Sequence, residues 1–238
     1  MIEISGVSKR FGKILALRDV SLRIEPGERV AFVGSNGSGK TTLLRSLLGL
    51  LRVEGRISIG GDDVAKAPER ALRHVAYIPQ VAPPLDASVA EVVRAHAVLR
   101  EITPADVATR AKRLGLVVSD VEKLRFRDLS GGMRQKLLAA LALASNAAVL
   151  ICDEPTANLD ANARAAFCEQ LTALAEDRIV ILCSHRSEEV ESLVDRVIEL
   201  AEGRVIRDTS GSVGASDDDD DNRSLVPPSA PRIKGLAS

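Results

Sequence analysis

Gly34-Ser35-Asn36-Gly37-Ser38-Gly39-Lys40-Thr41-Thr42 follows the apolar run Arg29–Val33 and precedes Leu43-Leu44-Arg45-Ser46-Leu47-Leu48. The run reads as a buried strand, and the leucine spacing as a helix packed on a sheet. Strand, glycine-rich turn and helix together are the context in which a GxxxxGK motif closed by Ser or Thr acquires a meaning. Such a loop surrounds a polyphosphate without adding negative charge. Gly34, Gly37 and Gly39 permit turns closed to residues with side chains, so the N–H groups between Gly34 and Thr42 can point inward. The positive end of the following helix adds to that field. Lys40 reaches the outer phosphates, and Thr41 offers its hydroxyl to a magnesium ion. The spacing predicts a nucleoside triphosphate site.

The chain has 238 residues, 45% of them apolar, enough for one large domain or two modest lobes. No apolar run approaches the roughly 20 residues that a membrane helix needs. Met1-Ile2-Glu3-Ile4 lacks the basic start and apolar block of a signal peptide. A net charge of −1 and an aromatic content of 2% argue against a nucleic-acid partner. Cys152, Cys168 and Cys183 are odd in number and widely spaced, which predicts reduced, buried thiols. His74, His96 and His185 have no zinc-ligand spacing.

Around the loop, strands are expected at Ile2–Val7, Leu17–Ile24, Gly55–Ile59 and His74–Ile78, with a turn at Glu25–Glu28. Phe11 sits beside Gly12 in a predicted loop; it is either a core aromatic or a ring for stacking on adenine. Beyond Pro79-Gln80 the sequence becomes alanine-rich and helical. Ser88-Val89-Ala90-Glu91 has the form of a capping box and opens a helix to about Arg100. Thr103-Pro104-Ala105-Asp106 opens another, which Gly115 ends. A third runs from Gly131 to about Ser145, so residues 84–145 form a helical insertion in an α/β core.

Next come a strand Ala147–Cys152 ending in Asp153-Glu154, a helix near Ala161–Ala175 and a strand Arg178–Cys183. Two more strands, Val197–Leu200 and Arg204–Arg207, flank Glu202-Gly203. Strands alternating with helices predict a mainly parallel sheet. Residues 1–208 form the folded unit, and 209–238 turn to Gly, Ser, Asp and Pro, predicting a disordered tail. Its run Asp217–Asp221 is a solvated segment or a binding one.

Five further motifs join the glycine-rich loop. They are Gln80, Leu129-Ser130-Gly131-Gly132-Met133-Arg134-Gln135, Val149-Leu150-Ile151-Cys152-Asp153-Glu154, Ala157-Asn158-Leu159-Asp160 and His185. In this order and spacing they resemble the ATP-binding-cassette (ABC) ATPases from about Ile2 to Arg207. The resemblance implies a P-loop NTPase core with an N-terminal antiparallel β subdomain and an inserted α-helical subdomain. It makes Leu129–Gln135 the family signature, with Met-Arg where many members differ. Val149–Glu154 becomes the Walker B strand with its glutamate, His185 the switch histidine and Gln80 the glutamine at the edge of the helical lobe. Phe11 takes the place of the adenine-stacking aromatic.

Chemistry supports these roles. Asp153 ends a buried strand, where an uncompensated carboxylate is costly and Mg2+ beside Thr41 resolves the cost. Glu154 is expected to polarise the attacking water, His185 to hold it in line, and Gln80 to sense magnesium and water. Ser130, Gly131 and Gly132 start a second glycine-rich helix N-terminus, hence a second anion site, with only one Lys-Thr in the chain. That economy predicts two copies, or a copy and a homologue, sandwiching two ATP molecules head to tail.

The expected function is the ATP-hydrolysing subunit of a transporter, held on the cytoplasmic face of the membrane by a permease in a separate chain. The signature and the short chain resemble export subunits; an importer subunit and a soluble, non-transport ABC ATPase are the alternatives. Val81-Ala82-Pro83-Pro84-Leu85 either pins the helical lobe to the sheet or lines a groove for the permease.

Overall fold

The computed structural model describes residues 1–174, 176–183 and 193–210, with the backbone alone of Ser210. Two sheets organise them, and both exist to hold the loop between β3 (Arg29–Val33) and α1 (Lys40–Leu47). The larger has the order β10-β9-β3-β8-β7-β6. Its parallel members are β9 (Arg196–Ala201), β3, β8 (Ile179–Cys183), β7 (Val149–Asp153) and β6 (Val75–Ile78). Only β10 (Arg204–Ser210) runs antiparallel, against β9. The smaller sheet is antiparallel, pairing β2 (Ile14–Ile24), β1 (Ile2–Phe11), β4 (Glu54–Ile59) and the two-residue β5 (Asp62–Asp63) in that order.

The period of two along central strands divides the core in half. Val149 and Ile151 of β7, with Ile179 and Ile181 of β8, face α1 and the antiparallel sheet. Leu150 and Cys152, with Val180 and Leu182, face the helices on the other side. Both faces are covered, so β7 and β8 are apolar throughout until Asp153. Those helices are the insertion, α3 (Val89–Arg100), α4 (Pro104–Arg113), α5 (Val118–Val121) and α6 (Gly131–Ala144), together with α7 (Ala161–Thr172). The Ser88 capping box forms as its spacing predicts: Ser88 N–H donates to Glu91 Oε2 at 2.7 Å, and Glu91 N–H to Ser88 Oγ at 3.2 Å. Thr103 and Asp106 repeat it at α4.

Helix C-termini collect at the edge where the parallel strands begin, and arginines serve them. Arg178 donates to Ser145 O at 2.9 Å, the C-cap of α6, and Arg29 to Thr172 O at 3.0 Å, the end of α7. Arg100 donates to Arg73 O at 2.7 Å, the end of α2 (Pro68–Arg73). Each guanidinium meets carbonyls left without helical partners, at the negative end of a helix dipole.

Several expectations shift. Phe11 is not in a loop: it closes β1 opposite Ile14, leaving Gly12-Lys13 as the turn. Helices α2 and α5 were not anticipated, and Thr209 and Ser210, expected to begin the tail, complete β10. Thr209 Oγ1 both accepts from Val197 N–H at 3.3 Å and donates to Val197 O at 3.2 Å. The rest of the expected tail lies outside the described residues, as does Ala175 beyond α7.

The β9–β10 turn reaches the glycine-rich loop. Gly203 N–H donates to Ser38 O at 3.0 Å, and Gly203 O accepts from Arg18 N–H at 2.8 Å. Gly203 has φ +77°, and a Cβ there would stand 2.6 Å from Ala16 O. The Gly203→Ala variant should therefore lose about 1–3 kcal/mol of stability. A lowered urea midpoint at unchanged slope checks this; an unchanged midpoint refutes the close approach.

Candidate active site

The loop after β3 folds as its glycines require. Gly39, the N-cap of α1, has φ +110°, and a Cβ would meet Ala16 O at 2.8 Å. At Gly34 a Cβ would meet Leu200 O at 2.2 Å. Gly37, φ +83°, stands in open space and needs its glycine for conformation alone. Lys40 curls back over the loop: its Nζ donates to Gly34 O at 2.6 Å and Ser35 O at 3.0 Å, with Ser38 Oγ at 3.5 Å. Ser38 is buried, while Ser35 and Asn36 are exposed.

The facing wall comes from strand ends. Gln80 follows β6, and Asp153 and Glu154 end β7. Asn36, Gly37, Gly39, Lys40, Thr41 and Thr42 share one cavity of about 210 Å3 with Gln80, Asp153 and Glu154. It opens at the carboxyl ends of parallel strands, where open α/β sheets bind ligands. Asp153 is only 4% exposed. Burial and then the neighbouring Glu154 carboxylate push its pKa up, against Arg45 and Lys40, which pull it down. Glu154 holds φ +50°, and its N–H donates to Cys183 O at 2.9 Å, pinning it across the ends of β7 and β8. This is strained backbone at the residue expected to do chemistry.

The donors suit a hard divalent cation. Thr41, Gln80 and Asp153 bring a hydroxyl, an amide and a carboxylate to the same cavity. Cys183 also lines it, with burial raising its thiol pKa to about 12.

The signature lies elsewhere. Ser130 N-caps α6, its Oγ accepting from Met133 N–H at 3.2 Å, and Ser130 and Gly131 are exposed. With Gly132, they are absent from the cavity lining. The helix they start is nevertheless tied to the segment after Glu154. Gln135, 2% exposed, donates from Nε2 to Pro155 O at 3.1 Å. Lys136 Nζ pairs with Asp160 at 2.7 Å, and a Cβ on Gly132 would lie 3.2 Å from Asn158 O.

Phe11 is 46% exposed with Lys9 Nζ 5.1 Å from its ring centroid, which removes the core-aromatic reading. Val81 is 78% exposed, whereas Ala82 and Leu85 pack on the helical core and so pin the proline-stiffened loop to it. Cys152 and Cys183 are buried as expected, but Cys168 is partly exposed. His185 lies outside the described residues. Ala16, Cys183 and Gly203 escaped the sequence reading. Only the strand-terminal place of Cys183, before Ser184-His185, offered a local signal.

A raised pKa means that ionising Asp153 weakens the native state as pH rises from the unfolded-state pKa toward the folded one. Asp153→Asn should therefore raise the melting temperature of the nucleotide-free protein at neutral pH and remove any further rise on adding Mg2+ with nucleotide. A melting temperature that falls without nucleotide would contradict this assignment.

Comparison with known proteins agrees with the geometry. The family description "ABC transporter" matches residues 17–157. The Nod factor export ATP-binding protein I of Cupriavidus metallidurans is 33% identical over 87% of this chain and 70% of its own length. The sulfate/thiosulfate import ATP-binding protein CysA of Bordetella pertussis is 38% identical over 86% of this chain and 60% of its own. A Streptomyces coelicolor protein, named as an ABC transporter ATP-binding protein, is 36% identical, yet this chain spans only 37% of its length. The solved ATP-binding subunit of an ABC transporter superposes with TM-score 0.81 at 28% identity, covering 88% of this chain and 90% of that one. The chain therefore belongs to the ATP-binding proteins of the ABC transporter family.

Proposed function

We propose that the chain is the ATP-binding and ATP-hydrolysing subunit of an ABC transporter, powering export through a permease carried on a separate chain. The observation that supports this most is the single cavity gathering Lys40 and Thr41 with Asp153, Glu154 and Gln80. Catalysis of phosphoryl transfer to water is mainly positioning and charge compensation, and these residues supply both. Loop N–H groups between Gly34 and Thr42 cradle the phosphates, and the Lys40 ammonium, now on loop carbonyls, shifts to the outer ones. Thr41, Asp153 and Gln80 would hold Mg2+, which would neutralise phosphate charge. Glu154, pinned through its backbone to Cys183, polarises the attacking water. His185 is proposed to hydrogen-bond the γ-phosphate, and the exposed Phe11 to stack on adenine.

Ser130, Gly131 and Gly132 stand outside the lining of their own chain's cavity, so their N–H groups would serve a nucleotide held by a second copy or a homologous subunit. Val81 and its neighbours meet the permease, which keeps the subunit on the cytoplasmic face of the membrane. Among the described residues no helix is long and apolar enough to cross one. Direction follows the form of the signature, while relatives named for export and for import both match. ATP-driven accumulation in inside-out vesicles carrying the cognate permease would read out export. A permease that never co-purifies would favour a soluble, non-transport ATPase.

Glu154→Gln should keep ATP affinity while cutting turnover by about 10²–10⁴. It should also accumulate an ATP-bound dimer on size exclusion; hydrolysis at the wild-type rate would remove Glu154 from its role.

Sharing of sites can be read by mixing. Ser130→Arg and Lys40→Ala chains should each be inactive as homodimers. Mixed one to one, they should recover about a quarter of wild-type turnover, since half the dimers are mixed and each keeps one whole site. Full activity of either variant alone defeats the shared-site reading.

A further inference from the structure

From Glu154 to Asp160, the N-cap of α7, the chain runs through bends and turns with no regular element. Its first two residues, Glu154 and Pro155, have three backbone polar groups to satisfy, because proline carries no N–H. Glu154 N–H donates to Cys183 O at 2.9 Å, and Glu154 O accepts from Ala157 N–H at 3.2 Å. Pro155 O accepts from Gln135 Nε2 at 3.1 Å. Two of these groups are met by backbone, from β8 and from the turn itself. The third is met by a side chain, and it comes from α6.

That side chain is built into the helix's contact with the segment. Gly132, Gln135 and Lys136 share one face of α6, at i, i+3 and i+4. Lys136 Nζ pairs with Asp160 at 2.7 Å, and a Cβ on Gly132 would stand 3.2 Å from Asn158 O. The ion pair is wet, since the Asp160 side chain is 57% exposed, and exposed pairs hold little. Gln135 is 2% exposed, and a hydrogen bond shut away from water is the stronger restraint. It acts where a restraint is needed. Glu154 has φ +50°, a conformation that persists only where the surroundings over-determine it. Cys183 O fixes its N–H, and Gln135 fixes the carbonyl of the next residue.

We propose that Gln135 is a positioning residue for hydrolysis: by holding Pro155 O, its amide keeps the Glu154 carboxylate aimed at the attacking water. The inference rests on the reading of Glu154 as the residue that polarises that water. Ser130 caps the helix that carries Gln135, so the aim of Glu154 is also tied to the placement of the signature. A misplacement of about 1 Å at a reacting group costs on the order of 10²-fold in rate, so loss of this one bond is read in turnover.

The test is made on the full chain. Gln135→Met keeps the length of the side chain and removes its donor. It should lower kcat by about ten- to hundredfold, with KM for ATP and ATP affinity by equilibrium dialysis within about twofold of the unsubstituted chain. Gln135→Asn, whose amide stops one carbon short, should show the same split, so either variant reports if the other fails to fold. Without nucleotide, amide exchange at Ala157 should quicken by at least about threefold, a readout that needs no ATP. Gln135→Met is then added to a Glu154→Gln chain and single-turnover hydrolysis is followed. Acting through Glu154, it should cost less than about twofold more there. The proposal is overturned if a folded variant keeps its kcat, even with a lowered urea midpoint, since the amide is then structural alone. It is equally overturned if KM rises in step with the loss, if exchange at Ala157 is unchanged, or if the full loss recurs in the Glu154→Gln chain. A Glu154→Gln chain that hydrolyses at the wild-type rate would instead remove the role of Glu154 itself, which keeps the two failures apart.

Discussion

Behind the phosphate-binding loop, backbone lies directly on backbone. Gly34 faces Leu200 O, Gly39 faces Ala16 O, and Gly203 faces Ala16 O, each too close for a side chain. Three distant parts of the chain, β2, the β3–α1 loop and the β9–β10 turn, thereby meet with nothing between them. A ring of N–H groups that must accept charge cannot also shift to meet it, because reorganisation would consume the binding energy. The close stacking supplies that rigidity from behind. Gly37 alone is free of the stack.

The second constraint is on α6. Ser130 and Gly131 at its start are exposed and stand outside the lining of the chain's own cavity, yet its second turn buries Gln135 on Pro155, the residue after Glu154. Lys136 on Asp160 doubles the attachment. One helix thus joins an exposed glycine-rich N-terminus to a grip on the segment that follows the candidate general base. Anything that pulls on the outer end is felt within two residues of Glu154. Two-state coupling between sites needs a physical link of this kind.

The local devices were legible in the sequence. The phosphate loop, the Ser88 and Thr103 capping boxes and the Asp153-Glu154 strand end all follow from spacings of a few residues. What escaped is long-range or too short. Six-residue α2 and four-residue α5 give too little chain for periodicity to register. Phe11 looked like loop because Gly12 follows it, but pairing of β1 with β2 extends to the last residue before the turn. The closeness of Gly203 to Ala16 depends on strands nearly two hundred residues apart, and no local pattern announces it. Most of the cavity's members, and a second site at the signature, could be named from motifs, whereas Ala16 and Cys183 in the lining could not.

Glu154 sits in the left-handed region, where glycine and asparagine are at ease and a glutamate is not. The fold therefore holds this candidate base at a standing cost, fixed by the Cys183 carbonyl that receives its N–H. Selection for stability and selection for turnover pull this codon in opposite directions. A lineage released from the need to hydrolyse ATP would be free to relax here first, exchanging the carboxylate for a residue the backbone prefers. The identity of position 154 in a degenerate copy would then report whether that copy still burns fuel or has become a passive partner.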